Sequence, residues 1–177
     1  MRVAFVCTGN RFRSPLAAAL LEEETRGLPV RIASLGTLEL GGRPALPEAV
    51  EIAKELGLDL SEHRARGLAR VDLSRADVVL GFERRHVKSS VVESGAPREV
   101  SFTLPELVGL LGRVPGPPLP NDPAERARVR VRQAHALRGR GQVEELGDPL
   151  GLTVRDQRRI AGELARLTES LAERLFR

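Results

Sequence analysis

The 177 residues hold one cysteine, one methionine, two lysines and five phenylalanines, and neither tyrosine nor tryptophan. One cysteine, Cys7, leaves no internal disulfide and points to a reducing, cytoplasmic setting. Without Tyr or Trp there is no platform on which bases could stack, and the basic residues are interspersed with acids. The net charge of +4 therefore speaks for acidic or phosphorylated partners and not for nucleic acid. No apolar run reaches the length that spans a bilayer, so no membrane partner is expected. Because the sequence goes directly into its first strand, no signal peptide is expected. What is present, 41% hydrophobic and 29% charged residues, suits one globular domain with a single core.

The chemistry concentrates near the N-terminus. Val3-Ala4-Phe5-Val6 is a short apolar run, as in a central parallel strand covered on both faces. Cys7-Thr8-Gly9-Asn10-Arg11-Phe12-Arg13-Ser14-Pro15 follows, and then an Ala- and Leu-rich helix. Ser14 suits an N-cap and Pro15 a first helical position. A loop wrapped between a strand end and a helix start gathers backbone N–H groups into a nest for an anion, reinforced by the helix dipole. The Arg13 guanidinium is a planar fork that can take two phosphoryl oxygens. The same field favours a thiolate at Cys7, which becomes an available nucleophile. Gly9 permits close backbone approach, Asn10 tolerates a left-handed conformation, and the Ser14 hydroxyl can donate to the sulfur. A lone cysteine is more often a small buried hydrophobe, but Cys-x5-Arg-Ser-Pro on a strand–loop–helix is a far narrower pattern.

Further along, strands are expected at 30–34, 77–82 and 100–102, and helices at 47–56, from 83 onward, from 104, and at 154–175. This βαβαβαβα alternation predicts an α/β fold: a single domain with a four-stranded parallel sheet, helices on both faces and the phosphate-binding loop after the first strand. Residues 113–123 read as a loop, and 124–138 as a basic helix, either an arginine-studded surface element or a flap that guides a phosphorylated partner. Two Asp-Pro pairs occur, Asp122-Pro123 and Asp148-Pro149. The second precedes the terminal amphipathic helix.

The stretch 3–21, together with Asp148-Pro149 and the helix after it, resembles the low-molecular-weight protein-tyrosine phosphatases, a family that includes protein-arginine phosphatases and related arsenate reductases. The resemblance implies that Cys7 forms a phospho-enzyme, that Arg13 binds phosphoryl oxygens and that Asp148, ranked over Asp122, is the general acid, with no metal or cofactor. It implies that Thr8, Gly9, Asn10, Arg11, Phe12 and Ser14 line the loop and that Ser34 braces Asn10. Glu83 and His86 are expected near the mouth without doing chemistry, and His63 is read as structural. The segment 112–143, where the resemblance is weakest, reads as an inserted loop plus basic helix.

Three departures qualify the resemblance. Phe12 stands where many members have a second cysteine, so a protective disulfide in the loop is not expected and peroxide should carry Cys7 to irreversible acids. Arg11 replaces a small residue and adds charge at the rim. Leu150 stands where tyrosines often line the substrate ring, and Thr8 resembles the arginine phosphatases. The expected activity is hydrolysis of phosphorylated protein side chains, phosphotyrosine or phosphoarginine, or of small phosphate esters. Arsenate reduction with external thiols and a turnover-free phosphate-binding module stand as alternatives.

Overall fold

The computed structural model describes residues 1–116, 120–139 and 143–177. Four strands, β1 (Arg2–Cys7), β2 (Arg31–Gly36), β3 (Val78–Gly81) and β4 (Ser101–Thr103), form one sheet in the order β2-β1-β3-β4. Each neighbouring pair is parallel, as expected. The connecting helices are α1 (Arg13–Glu24), α2 (Pro47–Glu55), α3 (Arg84–Ser94), α4 (Leu104–Leu111), α5 (Pro123–Ala136) and α6 (Val154–Phe176).

Side-chain alternation in β1 divides the core. Val3, Phe5 and Cys7 face the larger apolar cluster with Leu80, Phe82 and Phe102, covered by α1, α2, α4, α5 and α6. Ala4 and Val6 face a thinner layer with Leu35, Leu68, Val79 and Ala96. There α3 packs with a short 3-10 turn, Leu68–Arg70. Helices thus cover both faces, unequally. Helix α6 buries Ile160, Leu164, Leu171 and Leu175 and half-buries Leu167, the five-residue stripe expected from its spacing.

The start of α1 differs from the sequence expectation. The helix begins at Arg13 after Phe12, with no side-chain cap. Asn10 at φ 51° turns the chain early, which draws Ser14 into the second helical position and Pro15 into the third. A missing N–H costs nothing there, because the first four helical N–H groups lack intrahelical partners. The Ser14 hydroxyl is consequently freed from capping and points beneath the loop.

Helix α5 is a packed element. It buries Ala124, Ala127, Val131 and Ala134 against the rest of the fold. Arg126 donates to the carbonyls of Phe176 at 3.0 Å and Arg177 at 2.9 Å. Arg128 pairs with Asp77 at 2.8 Å, beside the start of β3 and so at the sheet edge opposite Cys7. These contacts favour the surface-helix reading over a guiding flap. The loop expected at 113–123 and the segment 112–143 lie partly outside the described residues.

Candidate active site

Cys7 ends β1 at the carboxyl edge of the sheet, level with Gly36 of β2. The Asn10 N–H donates to its sulfur at 3.2 Å, and the Ser14 hydroxyl lies 3.0 Å away. Ser14 also reaches the Leu35 carbonyl at 3.1 Å and receives the Asn10 amide at 2.9 Å. Its one hydroxyl proton thus serves two acceptors: with a thiol it can go to Leu35, and with a thiolate it can turn to sulfur.

Asn10 is the keystone of the loop. Its Oδ1 accepts the Arg66 N–H at 2.8 Å, and its carbonyl accepts His63 Nε2 at 2.7 Å. His63 is therefore structural, and burial lowers its pKa. Ser34 does not brace Asn10. It sits level with Phe5, two residues below Gly36, so Ser14, Arg66 and His63 hold Asn10 instead. Gly36 is glycine for want of room: a Cβ there would come within 3.0 Å of Asn10 and Gly9.

Arg13 is 2% exposed, and its guanidinium lies 5.7 Å from the Phe82 ring centroid. One terminal nitrogen donates to Glu83 at 2.7 Å and to the Leu146 carbonyl at 3.0 Å, while the other meets Asp148 at 2.8 Å. The structure thus brings Asp148 to the loop. Asp122 is elsewhere, capping α5 through the Glu125 N–H at 2.7 Å. The Asp148 loop is tied down by Leu146 N–H to the Phe82 carbonyl at 2.8 Å and by Thr103 to the Glu144 carbonyl at 2.7 Å. Arg85 joins the cluster, 2.9 Å from Glu83 and 4.0 Å from Asp148.

Sequence reasoning placed Glu83 and His86 at the mouth but missed what they hold. Burial would raise the Glu83 pKa, yet hydrogen bonds from Arg13 and Arg85 outweigh it and keep the carboxyl below its ordinary range. For His86, burial and then the Arg13 charge push the pKa down to about 4. Its Nδ1 faces the N–H groups of Phe82 and Glu83 at 3.4 and 3.1 Å, so the proton of the neutral ring is on Nε2. That nitrogen donates to Thr8 Oγ1 at 3.0 Å, leaving the Thr8 hydroxyl proton for another acceptor.

The remaining loop residues have distinct settings. Arg11 is half-buried and donates through Nε to the Pro44 carbonyl at 2.7 Å. Phe12 is buried in the larger core, and Gly9 packs beside Leu40. Leu150, 68% exposed, offers an apolar surface two residues from Asp148. Among the described residues no group of three His, Cys, Asp or Glu side chains could hold a metal ion. Nor, among them, is any helix long and apolar enough to cross a membrane.

This geometry coincides with a known family. Residues 2–108 match the model of low molecular weight phosphotyrosine protein phosphatases. The chain belongs to that family. EpsP of Ralstonia nicotianae, named a probable low molecular weight protein-tyrosine-phosphatase, is 42% identical over 90 residues, which cover 49% of this chain and 61% of the relative. A protein-arginine-phosphatase of Geobacillus stearothermophilus is 29% identical over 175 residues, covering 98% of this chain and 95% of that one. The solved low molecular weight protein tyrosine phosphatase of T. tengcongensis superposes with a TM-score of 0.73 at 31% identity, over 99% of both chains. That superposition takes in nearly the whole of both chains, while the match to EpsP is confined to about three fifths of that relative's length.

Proposed function

We propose that the protein hydrolyses phosphorylated protein side chains through a cysteinyl-phosphate. One observation carries this reading: a backbone N–H and a hydroxyl meet the sulfur of Cys7, and the buried fork of Arg13, six residues on, is reached by a carboxylate on a separate loop. In the first step the Cys7 thiolate attacks phosphorus, the S–P bond forms and the bond from phosphorus to the leaving oxygen or nitrogen breaks. Asp148 gives its proton to the leaving atom. In the second step Asp148 takes a proton from water, whose oxygen attacks phosphorus as the S–P bond breaks. Arg13 and the loop N–H groups hold the equatorial oxygens in both steps. The Ser14 hydroxyl supports the sulfur as it departs.

The two relatives carry names for different substrates, phosphotyrosine and phosphoarginine. The absence of tyrosine and the presence of Thr8 lean away from a site built solely for a phenol ring. The test is turnover of p-nitrophenyl phosphate and of matched phosphotyrosine and phosphoarginine peptides. Wild type should turn over p-nitrophenyl phosphate and at least one peptide, and Cys7→Ser should turn over none. Persistent activity in Cys7→Ser would refute the covalent route, and phosphate binding without turnover by wild type would favour a binding module.

A further inference from the structure

Beside the site mouth lies a groove that the reaction leaves unused. It encloses about 600 Å3 along α3 and the end of β4, with Arg84, Arg85, Lys88 and Arg98 on its walls and Val87 and Val91 among its apolar lining. Thr103, which ends β4, also lines it, so the groove opens at the sheet edge that carries Cys7. Arg85 connects the two, since it also pairs with Glu83 and approaches Asp148.

The charge in this groove is unbalanced. Its one lining carboxylate, Glu106, is taken by Arg138 at 2.9 Å, and Arg85 is taken by Glu83. The side chains of Arg84, Lys88 and Arg98 form no ion pair among the described residues, although the Arg84 backbone N–H donates to the Glu145 carboxylate at 2.7 Å. Arg84 and Arg85 open α3 beside two carboxylates, Glu83 at the N-cap and Glu145, so the helix start itself is balanced and the excess charge lies further along the groove. Arg84 and Lys88 are four residues apart, where like charges repel. Val92, 73% exposed, continues the apolar lining.

We propose that this groove receives an acidic stretch of the phosphorylated protein, alongside the residue whose phosphoryl group enters the Cys7 loop. The inference rests on the phosphatase reading for the second half of that statement only. Unpaired cations select acidic side chains, and the valines offer contact to intervening apolar ones. A nucleic acid would supply the charge but finds no aromatic ring in the groove lining for its bases.

The test uses two phosphopeptides that differ only in three flanking residues, acidic in one and their amides in the other. Wild type should show a KM roughly tenfold lower for the acidic peptide, with the difference shrinking as salt is raised. Lys88→Glu combined with Arg98→Glu should abolish that preference and leave turnover of p-nitrophenyl phosphate within about twofold of wild type. Equal KM values in wild type, or a preference that survives the double substitution, would overturn the proposal. Fluorescence anisotropy of the acidic peptide without phosphate reads the groove apart from turnover. Weakening in the double variant supports the groove even if the chemistry fails, and unchanged binding overturns it. Displacement of that peptide by an oligonucleotide of equal charge at matching concentration would also overturn the choice of a protein partner.

Discussion

Asp148 grips Arg13: Oδ2 sits 2.8 Å from one terminal nitrogen, while Glu83 holds the other at 2.7 Å. The fork that must receive a phosphoryl group is therefore bracketed by two carboxylates. They are not equivalent. Glu83 is 19% exposed and also bound by Arg85, whereas Asp148 is 36% exposed on a loop whose next turn it closes by accepting the Leu150 N–H at 3.1 Å. An incoming dianion should displace Asp148 and leave Glu83 in place.

Asp148→Asn should therefore have opposite effects on binding and chemistry. Removing the negative charge strengthens inorganic phosphate as a competitive inhibitor, while loss of the acid slows poor leaving groups by roughly 10²–10⁴-fold. With p-nitrophenol, which needs little protonation, the loss should be smaller. Inhibition constants and kcat across aryl phosphates of graded leaving-group pKa check both halves. Asp122→Ala should leave both untouched and cost about 1 kcal/mol of stability, as expected for a helix cap. A leaving-group dependence in Asp122→Ala would reverse the assignment of the acid.

Glu83 should matter through Arg13. Glu83→Ala leaves a guanidinium that is 2% exposed without its firmest partner, and should cost about 2–3 kcal/mol in denaturant unfolding. The carbonyl oxygen in Glu83→Gln can still accept from Arg13, so that variant should recover part of the loss. Because Arg13 is then misdirected, kcat/KM should fall at least tenfold in the alanine variant, with the glutamine variant between. Equal kinetics in all three would show that Asp148 and the Leu146 carbonyl hold the fork unaided.

The sequence told the sheet, its parallel sense and the loop because each is written in local patterns. Val3–Val6 is apolar without interruption, and Cys7, Arg13 and Ser14 lie within one turn of chain. Asp148 was legible through its proline and the amphipathic helix behind it. Long-range contacts were not. Ser34 looked like the brace for Asn10, but strand register sets it beside Phe5, and no local pattern announces register. Likewise Glu83 and Arg13 are 70 positions apart, and only the parallel pairing of β1 with β3 brings them together. The start of α1 was misread because Ser-Pro is a cap signal that the left-handed Asn10 overrides.

His86 ties the site to pH. Its pKa of about 4 in the folded protein lies below the ordinary 6.5, so the unfolded chain binds a proton first as pH falls. Stability from this group is complete above about pH 6.5, declines as pH drops toward 4 and then levels off, a loss of up to roughly 3 kcal/mol. His86→Gln should remove that slope. Urea unfolding of both proteins between pH 4 and 7 isolates the contribution by difference, since the carboxylates titrate in each. Parallel curves would mean that His86 takes up its proton as readily in the fold as in the unfolded chain, so that burial would not hold its ring neutral.

Oxidation gives the last expectation. Cys7 is the sole cysteine, and the loop position that could carry a resolving thiol is Phe12, buried in the core. A sulfenic acid formed at Cys7 has no intramolecular thiol to condense with, so further peroxide converts it to sulfinic and sulfonic acids. Phosphate or vanadate in the loop should protect, because the oxidant must reach the same sulfur. Activity lost to peroxide should stay lost under dithiothreitol, and mass spectrometry should find the higher acids on the Cys7 peptide. Substituting Phe12→Cys should restore reducibility if the protein tolerates the smaller side chain, whose cavity costs about 3–5 kcal/mol at a fully packed site. Complete recovery of the oxidised wild type by dithiothreitol would instead mean that the sulfur is captured at the sulfenic stage by a partner outside the loop.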